Sequence, residues 1–283
     1  MPSLLKSLRI VLAVIASLVL VSRAQAQSQS GNNDGDVINW WYSATFGTGV
    51  YTSGSRSVAV LQVPFAHALK NVDEDNYGLK FKVSTTLGFY DYSVGSAING
   101  NIPDRISTFS VLPGFEWELP MSQRWVLRPF ADAGFGQELT GHQSASIFDF
   151  GVKSRFLLAQ NRGVEFVLVN ALTSAGYRQS GESTNTFGYF ATGLDITIPT
   201  DRSAFGRPLY FGFTPVYFYY FNKFSLGEFN DRQNRIREEF ELAMSVVTRK
   251  PWSLSFFDFD RVGLAIRSSG DVVGVSLFTS LPF

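Results

Sequence analysis

The chain has 283 residues and equal numbers of basic and acidic side chains, 24 of each, so no global field points to nucleic acid. It has no cysteine, which excludes a disulfide framework, a thiolate nucleophile and a cysteine-based metal site. Yet 27 Phe, 11 Tyr and 5 Trp accompany 25 Gly, a mixture foreign to most soluble domains and ordinary for a barrel with an apolar outside, aromatic belts and a polar lumen.

The first residues set the compartment. Lys6 and Arg9 precede an apolar run from Ile10 to Val21, and Ala24-Gln25-Ala26 follows. A basic start, a short apolar core and an A-x-A site read as a secretory signal peptide over residues 1–26. The run falls short of the ~20 residues that a membrane-spanning helix needs. Residues 27–39 read as a short polar periplasmic leader, and the two aspartates of NDGDVIN as solvated, with no metal ligand set. No phosphate loop, zinc spacing or calcium loop follows, so no cofactor and no metal are expected.

Residues 40–283 alternate. In YGLKFKVSTTLGFY, Leu79, Phe81, Val83, Leu87 and Phe89 oppose Lys80, Lys82, Ser84 and Gly88. In STFSVLPGFEWEL, Phe109, Val111, Phe115 and Trp117 oppose Ser110, Gly114, Glu116 and Glu118. In RWVLRPFADAGFG, Arg128, Asp132 and Gly136 share a face against Leu127, Ala131 and Phe135. In IFDFGVKSRFLL, Asp149, Lys153 and Arg155 oppose Phe148, Phe150 and Val152. The period is two, the signature of strands.

Such segments number roughly twelve, near 40–52, 56–69, 77–92, 107–119, 124–137, 144–159, 163–176, 185–198, 208–222, 234–248, 255–267 and 271–283. They predict an all-β, transmembrane antiparallel up-and-down β-barrel. The even count puts both barrel termini on the periplasmic side. Of the periplasmic links, PTDRSAFGRP is long for a turn; SVGSAINGNIPDR and NKFSLGEFNDRQN are the longest external loops. FGFTPVYFYYF is aromatic on both faces, which predicts an aromatic lumen side. The phase breaks in SFFDFDRVGLAIRS, and a β-bulge near Asp260 would restore it.

With the apolar faces outward, the lumen receives Lys80, Lys82, Glu116, Glu118, Arg128, Asp132, Asp149, Lys153, Arg155, Glu165, Asp195, Arg235, Arg237, Glu239 and Glu241. Unpaired burial would cost several kcal/mol for each, so they must pair or stay hydrated. A salt-bridge lattice that props the lumen and a narrow passive pore both satisfy this.

One catalytic possibility exists. His142 and Ser144 share a face in an extended chain and could act as base and nucleophile. In a twelve-strand barrel this H-x-S resembles the outer-membrane phospholipase A family. Here Ala145-Ser146 follow the serine where that family has Asn-Gly, and no asparagine follows until Asn161 to orient the histidine. His67 takes no role.

The terminus GDVVGVSLFTSLPF, the segment count and the signal peptide together resemble the autotransporter-type translocator barrels, here as a solitary barrel without a passenger. The resemblance implies a Gram-negative outer membrane, with its lipid and lipopolysaccharide as surroundings. It also implies that Val275, Leu277, Leu281 and Phe283 form the signal read by the barrel-assembly machinery. The functions expected are a structural or surface-interaction role, with a possible ligand at the external loops, or a porin-like passive pore. The alternative is a phospholipase-like hydrolase.

Overall fold

The structure is a computed structural model and describes residues 40, 47–53, 56–72, 77–90, 107–139, 143–225, 235–254, 257–269 and 272–281. Twelve strands run in chain order: β1 (Gly49–Ser53), β2 (Arg56–Lys70), β3 (Gly78–Tyr90), β4 (Thr108–Ser122), β5 (Trp125–Glu138), β6 (Ser144–Asn161), β7 (Val164–Gln179), β8 (Asn185–Ala204), β9 (Arg207–Ser225), β10 (Arg235–Leu254), β11 (Phe257–Ser269) and β12 (Val272–Phe278). Each is antiparallel to its neighbours, and β1 closes on β12 with Val50 opposite Val275 and Tyr51 opposite Gly274. This is the closed up-and-down barrel that the period-two pattern predicts. An apolar sheet with no covering layer leaves no free edge only by pairing its first and last strands.

The alternation is legible in burial. In β4, Thr108, Ser110, Leu112, Gly114 and Glu116 are buried, while Pro113, Phe115 and Trp117 are exposed. In β10, Glu239, Glu241, Ala243 and Ser245 are buried and Phe240, Leu242, Met244 and Val246 exposed. The core therefore lies inside the barrel, and the large apolar side chains outside it form a belt that no described residue covers.

Links alternate between two rims. At one, two residues join β4 to β5, β6 to β7 and β8 to β9. Arg162 and Gly163 (φ 49° and 84°) and Phe205 and Gly206 (φ 50° and 73°) have the double positive φ of a type I′ hairpin, whose twist matches the strands. Glycine in second place meets that demand without a Cβ penalty. The links at the opposite rim include the two long loops: SVGSAINGNIPDR lies outside the described residues, and of NKFSLGEFNDRQN the first four residues belong to β9 while the rest lie outside them.

Three expectations need correction. PTDRSAFGRP is no loop: β8 runs to Ala204 and β9 begins at Arg207, so polar residues extend the two strands beyond the rim. The irregularity opposite Asp260 falls on β10, where four residues separate Val247 from Trp252 while Asp260 alone separates Arg261 from Phe259. β12 stops at Phe278, short of the expected residue 283; Leu281 lies past it, next to Pro282, which has no ladder N–H. Phe283 lies outside the described residues.

Candidate functional site in the lumen

The lumen has two layers. Toward the long-loop rim it is aromatic and aliphatic. Trp40, Tyr51, Val60, Leu112, Ile147, Tyr177, Phe187, Tyr189, Phe218 and Tyr220 form one cluster, none more than 8% exposed. Trp40 lies inside the barrel against Gly136, ahead of the first strand. Tyr189 packs on Phe218 and Tyr220 with ring centroids 5.9 and 5.7 Å apart. Small inward residues make room for these rings: Ala171, Ala175 and Ala191 are at most 1% exposed.

Arg267 ties this layer to the charges. Its Nε donates to Glu241 at 2.8 Å, its Nη1 stands 3.8 Å from Glu239, and the guanidinium lies over Phe218 at 4.4 Å. The Tyr220 hydroxyl donates to the same Glu239 carboxylate at 2.5 Å.

Below, the lumen is a lattice of ion pairs on β3 to β6. Lys82 reaches Asp132 at 3.0 Å and Glu116 at 4.0 Å. Lys153 reaches Glu116 at 3.8 Å, and Lys80 and Arg128 share Glu118 at 3.2 and 3.1 Å. Both ammonium groups approach the Phe130 ring, Lys82 at 4.9 Å and Lys153 at 5.0 Å from its centroid. Asp149 pairs in register with Asp132. Across the barrel, Asp195 takes both Nη atoms of Arg261 at 3.1 and 2.9 Å and the Thr214 hydroxyl at 2.7 Å. Arg261 and Asp195 are only 3% and 1% exposed. Glu165 pairs with Arg249 at 2.8 Å at the short-turn rim.

The other predicted site residues fall elsewhere. Arg237 is exposed and donates to the Tyr219 hydroxyl at 2.6 Å, on a ring that points out of the barrel. The side chain of Arg235 lies outside the described residues, as does His142. Ser144 Oγ stands 3.1 Å from Ser180 Oγ in a polar recess of about 240 Å³ at the long-loop rim, lined also by Gln143, Gln179 and Glu182. Val275 and Leu277 face outward on β12. Sequence reasoning missed Trp40, Phe130, Arg249, Arg261 and Arg267. Parity carried the signal for two of them, since Arg261, Gly263, Ala265 and Arg267 alternate cleanly with Val262, Leu264 and Ile266.

A second recess of about 250 Å³ opens at the short-turn rim and includes Arg155, Arg249, Arg261, Glu165 and Asp260. Each recess is confined to its own rim, and the aromatic layer lies between them.

No protein-family model and no curated protein matches the sequence. Among solved structures, the beta domain of the Bordetella autotransporter BrkA is similar to this chain, with a TM-score of 0.49 and 9% sequence identity over 82% of this chain and 96% of that one.

Proposed function

We propose that the chain is an integral outer-membrane barrel with a closed lumen, a scaffold that holds its loops at the cell surface and does not conduct. The observation that carries this reading is the aromatic layer. Trp40, Ile147, Tyr177, Phe218 and Tyr220 are each at most 2% exposed, the close packing that a sealed lumen requires at that level. A porin keeps its lumen wet from end to end.

The membrane part rests on the outer surface. Leu264, Ile266, Phe240 and Leu277 are 56, 57, 63 and 54% exposed, on three neighbouring strands. An apolar belt of that extent on a closed barrel is stable in lipid and prone to aggregate in water. In this reading the short-turn rim faces the periplasm, and Val275 and Leu277 present the assembly signal on the closing strand.

Planar-bilayer recording of the refolded protein tests the reading. Silent membranes are expected; regular conductance steps from the unmodified protein would replace the closed scaffold with a pore.

A further inference from the structure

The recess at the short-turn rim holds an arginine that the lattice leaves unused. Arg249 is engaged by Glu165, and Arg261 by Asp195 through both Nη atoms. Asp260, 45% exposed, leans on Arg261 Nε at 3.9 Å. Arg155 makes no ion pair or hydrogen bond with another described residue, although its Nε is fully enclosed. Asp149, on the same face of the same strand, cannot serve: it lies six positions up the strand, about 20 Å away.

Only Nε is enclosed, so the two Nη atoms remain for whatever enters the recess, and a bidentate oxyanion matches that fork better than water does. We propose that this recess binds a small oxyanion of the phosphate class on Arg155. The Tyr210 and Thr197 side chains line the same space, so their hydroxyls are at hand to complete the oxyanion's hydrogen bonds. The volume, about 250 Å³, equals the share of about eight waters, which admits inorganic phosphate or the end group of a small phosphomonoester and excludes a polymer. The position of Arg155 near the open end of β6 leaves the recess accessible from the short-turn side. The inference does not depend on whether the barrel conducts.

Calorimetric titration of the refolded full chain in detergent with millimolar inorganic phosphate tests it. The folded state of every variant is checked first by its heat-modifiable gel mobility. The unmodified protein is expected to take up one phosphate. Arg155→Gln is expected to weaken binding about tenfold or more, the loss of a charge-assisted pair. Arg155→Lys, which keeps the charge and loses the fork, should also bind more weakly. No uptake by the unmodified protein would mean that water alone solvates Arg155 and would overturn the proposal. So would full phosphate affinity in the folded Lys variant, which serves if the Gln variant does not fold. A silent bilayer record has no bearing on either outcome.

Discussion

The indole of Trp40 lies on Gly136, near the long-loop end of β5, so closely that a Cβ at position 136 would overlap Cζ3 and stand 2.7 Å from Cε3. The contact joins a residue ahead of the first strand to the wall of the fifth, and it places the largest side chain of the plug.

Removing that side chain should open the barrel. Trp40→Ala is expected to turn a silent bilayer record into one with steps, and Gly136→Val should do so less completely by pushing the indole aside. Truncation of a buried aromatic also costs about 3–5 kcal/mol, which urea titration would register. A Trp40→Ala barrel that folds and stays silent would show that the remaining rings seal the lumen unaided.

Charge removal should depend on depth. Arg261→Met leaves the Asp195 carboxylate buried without its cation, and is expected to cost about 3–5 kcal/mol in unfolding free energy. Arg249→Met breaks a pair whose arginine is 54% exposed, and should cost at most about 1 kcal/mol. Equal losses in urea titrations of the two variants would contradict the burial described for Asp195.

The outer belt makes a separate demand. Met244 and Leu264 pair across β10 and β11 and are 49 and 56% exposed. If this belt meets hydrocarbon, Met244→Arg should cost about 2–4 kcal/mol in lipid vesicles. A neutral result there would remove the membrane reading, since an arginine on a water-facing strand is tolerated.

The Tyr220 and Arg267 contacts on Glu239 also admit a test. Tyr220→Phe removes the hydroxyl that donates to the carboxylate while keeping the ring, and should cost about 1.5–3 kcal/mol, the range for a hydrogen bond to a charged group. Urea denaturation of the refolded variant reads it directly, and an unchanged midpoint would assign the Glu239 charge to Arg267 alone.

Much of this was legible before any coordinates. Period-two alternation named the class and the number of strands because a closed barrel imposes the same inward and outward rule on every strand. Lys82, Glu116, Glu118, Arg128, Asp132 and Lys153 could be assigned to one face by parity alone. Their actual pairing could not, because it depends on the register between strands. Trp40 was out of reach for a different reason: the expected first strand, 40–52, takes it in, whereas β1 begins at Gly49 and the indole lies in the lumen ahead of it, where no period assigns it a side. Arg261 and Arg267 register in the sequence only as a disturbance of phase on β11, because the irregularity that accommodates them lies on β10. The extension of β8 and β9 was hidden because Pro199, Asp201, Arg202 and Gly206 have the composition of a loop.

That extension has a consequence for depth. The ladder between β8 and β9 slips between Pro199 and Ser203, and that between β10 and β11 slips between Val247 and Trp252. Beyond Thr197, β8 has no partner on its β7 side. Backbone groups without partners are tolerated in water and not in hydrocarbon. The two slips, on either side of the β9–β10 pair and at the same rim, would then draw a waterline in the backbone itself. If lipid surrounds the barrel, as proposed, its apolar layer must end above them and leave the hairpin tip with Phe205, 93% exposed, on the wet side.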